Sequence, residues 1–173
     1  MSQVFEFRGV DNLVYAKVVT DTKEAFECET PKSLSAVAEI GKTVETSSEA
    51  KFYDNKAMMT INSEGADEIT CVVAPLDIET LAEITGKQYD ATTGALIDGI
   101  RTNDYFAIGY RTKGTDGQYR YVWRFKGTFA IPDETVATED NGTDANNQEL
   151  VFTGIHTTHE FAKGGSCKGI VVD

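Results

Sequence analysis

The chain has 173 residues, 40 % hydrophobic and 25 % charged, which suits one folded domain with a core of its own. A formal net charge of −12 argues against a nucleic-acid coat, and no apolar run approaches the roughly 18 residues of a membrane span. Cys28, Cys71 and Cys167 are odd in number, far apart and without metal spacing, which fits free thiols in a reducing compartment.

Residues 1–6 have no basic region and no long apolar stretch, so no signal peptide is expected. Residues 4–8 read as a short strand and Gly9-Val10-Asp11-Asn12 as a turn. A second strand is predicted over 13–20, a turn over 21–24, and extended chain over 25–29 until Pro31. Residues 33–75 then read as two long strands joined by a polar elbow that contains Tyr53-Asp54-Asn55, with the second strand running over 60–74. Strands of a dozen residues exceed the common length of about 5–6. A domain this small has no core to cover such a hairpin, so its length points to contact with neighbours.

A helix is predicted over 76–85, with Asp77 as N-cap, Gly86 as the left-handed C-terminal stop, and Ile78, Leu81, Ala82 and Thr85 on its buried face. A hairpin over 87–98 turns at Ala91-Thr92-Thr93-Gly94. A second hairpin joins strands over 103–112 and 118–126. In its second strand Tyr119, Tyr121, Trp123 and Phe125 alternate with a mostly basic set, which predicts a buried aromatic face. Residues 128–131 continue the sheet, 133–148 form a polar loop, and 149–161 hold a last strand. Residues 162–173, with Gly164-Gly165 and Gly169, read as a mobile C-terminal tail with a weak terminal strand.

Charge is uneven. Residues 101–126 hold six basic residues and two acids, whereas 132–150 hold six acids and no base. Opposite patches on one chain suit head-to-tail contact between copies, and equally two solvated faces.

Little catalytic chemistry is legible. His156 and His159 lie three apart in a strand-like context, on opposite faces rather than in a metal pair. No Gly-rich phosphate loop and no GxSxG elbow occurs. Glu139-Asp140-Asn141-Gly142-Thr143-Asp144 has the composition of a calcium loop without its spacing, and Asn141-Gly142-Thr143 matches a glycosylation acceptor. No catalytic residue, metal or cofactor is expected.

Five stretches carry a resemblance: Gly9-Val10-Asp11-Asn12-Leu13-Val14-Tyr15-Ala16, Phe52-Tyr53-Asp54-Asn55-Lys56, Glu83-Ile84-Thr85-Gly86, Tyr89-Asp90-Ala91-Thr92-Thr93-Gly94-Ala95-Leu96-Ile97, and Phe125-Lys126-Gly127-Thr128-Phe129-Ala130-Ile131-Pro132. In this order, between residues 5 and 161, they resemble the major tail proteins, or tail tube proteins, of long-tailed bacteriophages of Gram-positive bacteria. The resemblance implies a mainly β fold, a β-sandwich or partial barrel with a long hairpin and one short flanking helix. It implies a virion subunit, made and assembled in the bacterial cytoplasm, whose hexameric rings stack into a hollow tube. Tape-measure protein fills the lumen during assembly, DNA passes through it at infection without specific binding, and tail initiator and terminator proteins bound the tube. It further implies that Tyr53, Asp54 and Asn55 contact the adjacent ring and that Glu39, Glu45, Asp67 and Glu68 face the lumen.

Three other readings compete. One is a monomeric β-sandwich that binds carbohydrate or a host surface through residues 119–125. Another is an enzyme that uses Cys71 or the His156/His159 pair. The third is a related tube from a contractile or bacteriocin-like particle.

Overall fold

The computed structural model describes residues 4–139 and 146–173. The fold is mainly β and antiparallel, with one helix. The main sheet is ordered β2 (Phe26–Cys28), β1 (Phe7–Asp21), β8 (Phe106–Gly114), β9 (Tyr119–Phe129), β10 (Gln148–Gly154), β5 (Lys56–Val73), β4 (Val37–Tyr53). Two short strands join it from the side: β3 (Lys32–Ser33) on β1 and β11 (Gly169–Val172) on β9. A separate hairpin pairs β6 (Gln88–Asp90) with β7 (Ala95–Ile97).

The sheet curls until its ends nearly meet. Leu34 N–H donates to Leu13 O on β1 at 3.0 Å. Two residues on, Ala36 O accepts from Ala74 N–H at 2.8 Å, and Ser35 Oγ donates to Ala74 O at 2.8 Å. Residues 32–36 thus bridge β1 and the exit of β5, and β1 also touches β4. The interior is filled by Leu13, Tyr15, Ile69, Val73, Phe106, Ile108, Phe129, Leu150 and Phe152. Phe106, Phe129 and Phe152 stack edge to face in a row, with ring centroids 5.8 and 5.1 Å apart.

Helix α1 (Ile78–Thr85) covers one opening. Asp77 Oδ1 accepts from Thr80 N–H at 2.7 Å, and Gly86 at φ 71° closes the C-terminus, as the sequence predicts. Arg101 Nε donates to Thr85 O at 2.7 Å and its Nη2 to Phe129 O at 2.8 Å, which ties the helix end to β9. The buried face differs from expectation. Ala82, Ile84 and Thr85 are buried, while Ile78 is half exposed. The helix is rolled so that Ile78 and Leu81 line a cleft instead of the core.

Four other expectations are corrected. Gly9-Val10-Asp11-Asn12 is no turn: β1 runs through it as a single strand because β8 offers an unbroken partner, and the positive φ values of Gly9 and Asn12 are absorbed as irregularities in register. The second long strand starts at Lys56, because the elbow is only a two-residue turn. The aromatic face of β9 is not the core face. A register shift opposite Phe106/Ile108 turns Val122 and Arg124 to the side of Ile108. Trp123 lies instead over Gly109 on the outer side, and Tyr121 is exposed. Finally, the C-terminal tail is docked rather than free: the terminal strand expected within it forms and joins the sheet, Gly169↔Arg124 through Val172↔Tyr121 pairing as β11 on β9.

Candidate functional site

The long hairpin outruns the sheet. β4 has 17 residues and β5 has 18, paired from Val37↔Val73 to Tyr53↔Lys56. β10 covers β5 only over Asp67–Val73. Beyond Val44↔Asp67 no third strand among the described residues pairs with either edge. At about 3.3 Å per residue, the eight residues from Thr46 to Tyr53 carry the ribbon roughly 25 Å past that row.

Local chemistry explains why it forms. Thr43, Val44 and Thr46 on β4 and Thr60, Ile61, Ile69, Val72 and Val73 on β5 all suit pleated backbone. Ser47 and Ser63 hydroxyls meet across the strands at 2.5 Å. The turn needs two residues at positive φ, and Asp54 (48°) and Asn55 (62°) are among the few side chains that tolerate it.

An isolated two-stranded ribbon is marginal in water, and its unpaired edges offer donors and acceptors to any other chain. The tip is also apolar. Phe52 is 68 % exposed, Met58 66 %, Tyr53 57 % and Met59 51 %. A shift between Lys51 and Phe52 leaves Met58 as the extra residue, opposite Phe52. The structure therefore brings Tyr53, Asp54 and Asn55 together at the outermost point, and adds Phe52 and Met58 beside them.

The root is fixed by charge. Lys168, which leads into β11, donates to Glu64 Oε1 at 2.5 Å, Asp67 Oδ1 at 2.7 Å and Gly65 O at 2.9 Å. Lys42 Nζ stands 3.4 Å and Arg124 Nη1 3.7 Å from Asp67 Oδ2. Burial alone would raise the Asp67 pKa. The Lys168 hydrogen bond and the charges of Lys42 and Lys168 more than offset it, and hold the carboxyl below its ordinary value. Burial opposes the charged form of Lys168, but its bonds to Asp67 and Glu64 win and raise its pKa.

This corrects the lumen assignment of Asp67, which is 1 % exposed. Its position on β5 is in phase with Ile69, Cys71 and Val73, all turned to the core. Glu68 is one residue out of phase and faces outward. Glu39, opposite Val72, shares that face, as does Glu45 by alternation along β4. Glu149 on β10 extends it. The outer face of β4, β5 and β10 thus carries Glu39, Glu45, Glu68 and Glu149 over the body of the sheet, and Glu49 and Lys51 continue it along the ribbon, paired with each other at 2.6 Å.

The basic hairpin is largely neutralised within the subunit. Arg111 pairs with Asp11, Arg120 with Asp173, Arg124 with Asp67 and Lys126 with Asp21, while Arg101 binds carbonyls. Little of that charge is left for the acidic segment of a neighbour. Residues 155–160 form a loop rather than strand, His156 is exposed, and His159 Nδ1 meets Lys23 O at 3.0 Å with its ring against Phe161. Cys71 is buried and its thiol is pushed up to about 11 by burial. Among the described residues no group of three His, Cys, Asp or Glu is placed to hold a metal, and no helix is long and apolar enough to cross a membrane. The calcium-like and glycosylation-like patterns over 140–144 lie outside the described residues.

Sequence reasoning missed Lys168, because a lone lysine in a Gly-rich stretch carries no spacing signal. The inward turn of Asp67 was legible in its alternation with Ile69 and Cys71. Fold and site together define a mainly β protein with a projecting, apolar-tipped ribbon and one acidic sheet face. No protein-family model matches the chain, and no curated protein matches it.

Proposed function

We propose that the chain is a structural subunit that assembles with copies of itself into stacked rings, forming a tube of the phage tail type. The observation that carries this reading is the ribbon. About eight residue pairs of open-edged strand, tipped with Phe52, Tyr53 and Met58, find no strand partner at their edges among the described residues. Solvating such a surface is unfavourable, and a second copy removes it from water.

Within a ring, the free edge of β4 is the natural place for a neighbour's strand, since closing a circle of subunits leaves no exposed edge. Between rings, a projecting tip makes a contact that does not close, hence a filament. The acidic outer face suits a lumen wall, because carboxylates repel DNA phosphates and let the strand slide. Tape-measure, initiator and terminator proteins would be the further partners, and the virion tail the location.

Trimming the ribbon tests the proposal. Replacing residues 48–62 with an Asn-Gly turn joins Ser47 to Ser63, which already face each other. The expected product is folded monomers or single rings under the electron microscope. Tubes of normal length would overturn the role given to the ribbon. A monomeric binding module is the second reading, favoured by the outward row of Tyr119, Tyr121 and Trp123, and it predicts a monomer at every concentration.

A further inference from the structure

A cleft of about 500 Å³ opens between α1, the β6–β7 hairpin and the segment that follows β9. Its lining is mixed: Ile78, Leu81, Leu96, Ile131 and Val136 give an apolar part, and Thr85, Thr135 and Asn146 stand among the polar groups beside it. Ile78 and Ile131 are half exposed and Val136 more so, although the helix presents Ile78 and Leu81 as a packing face. Asp133 and Glu134 stand in the same lining. Lys87, its one cation, is already held by Asp98 at 2.6 Å.

The place of the cleft relative to the ribbon is what gives it meaning. β5 starts at the tip with Lys56 and ends at Val73, and Pro75 and Leu76 directly beyond it line the cleft. Tip and cleft therefore lie at opposite ends of one 18-residue strand, roughly 60 Å apart. Their chemistry is complementary. The tip offers large exposed apolar side chains in Phe52 and Met58. It also offers Lys56, which makes no ion pair among the described residues, whereas Lys51 nearby is bound to Glu49 at 2.6 Å.

We propose that this cleft receives the ribbon tip of a second copy of the chain. Phe52 and Met58 fill the apolar space between α1 and Val136, and Lys56 meets Asp133 and Glu134. The inference rests on the self-assembly reading and specifies its axial joint. Each subunit offers one tip and one cleft on different surfaces, so the contact is heterologous and propagates along the ribbon direction without closing.

Charge reversal and its rescue test the joint. Lys56 is exposed, so Lys56→Glu leaves the fold intact. It sets like charges against each other and is expected to raise the critical concentration for tube formation about tenfold or more. Asp133→Lys with Glu134→Lys is expected to do the same. The chain that carries all three changes is expected to recover tubes near the wild-type concentration, read by sedimentation and negative-stain microscopy. Wild-type tubes with no recovery in the triple variant, or with no effect of either reversal, would overturn the cleft as receptor while the tube reading stands. A wild-type chain that never assembles would overturn the tube reading itself, and the joint with it.

Discussion

Removing the Asp67 side chain exposes the logic of the ribbon's root. Asp67 is 1 % exposed and lies among Lys168 at 2.7 Å, Lys42 at 3.4 Å and Arg124 at 3.7 Å. Asp67→Ala leaves three cations converging on a vacated, water-poor site, the situation in which a broken buried pair costs about 3–5 kcal/mol. Lys168→Ala is milder. Asp67 keeps Lys42 and Arg124, so the loss is that of hydrogen bonds to charged groups, about 1.5–3 kcal/mol. Glu64→Ala removes an exposed partner of the same lysine and costs at most about 1 kcal/mol. The order Asp67 > Lys168 > Glu64 is the prediction, read from urea unfolding of the unassembled subunit. For a chain of this size each kcal/mol moves the midpoint of thermal unfolding by about 2–4 °C, so the largest step approaches 10 °C or more. Equal losses for Glu64→Ala and Asp67→Ala would refute the idea that burial makes this cluster strong.

Asp21 gives a pH test. Burial opposes its charge, but the Lys126 hydrogen bond and the Thr158 and His159 N–H groups bring its pKa from 3.8 down to about 2. A depressed carboxylate stabilises the fold above its unfolded pKa and loses that contribution as pH falls through the folded one. Asp21→Asn is therefore expected to cost on the order of 2 kcal/mol at neutral pH and almost nothing near pH 2. A penalty in urea melts that does not shrink with acid contradicts this. Gly127→Ala places a methyl 2.4 Å from the buried Phe152 ring and from Thr153 O. It is expected to destabilise by about 1–3 kcal/mol, and a neutral result in the same melts would show that β9 and β10 can move apart. If the chain forms the proposed tube, Glu39→Lys with Glu45→Lys and Glu68→Lys is expected to leave assembly intact and to slow DNA ejection by assembled particles; an unchanged ejection rate would remove the acidic face from the proposed lumen.

Much of the architecture was legible because local chemistry and fold agree. Asp77 and Gly86 bracket the helix, Gly94 closes the β6–β7 turn, and Asp54-Asn55 occupy a turn that few other residues tolerate. What was not legible depended on partners distant in sequence. The Gly9–Asn12 stretch looks like a turn until β8 is laid beside it. The alternation in β9 is real, but the shift opposite Phe106/Ile108 decides which face meets the core, and no local pattern records it. The Gly-rich C-terminus carries only a weak strand signal, and its docking is set by partners elsewhere in the chain: Lys168 reaches Asp67, 101 residues back, and β11 pairs with β9. In the ribbon, length and turn were readable, and the inward turn of Asp67 was legible too, in its alternation with Ile69 and Cys71.

The central claim is that the uncovered ribbon exists to be covered by other copies. The most direct measurement follows the purified full chain across concentration by sedimentation velocity, with negative-stain images of the same samples. The account predicts conversion from monomer to rings and hollow stacks as concentration rises, abolished when residues 48–62 are replaced with the short turn. A monodisperse monomer at every concentration, identical with and without the ribbon, would contradict it.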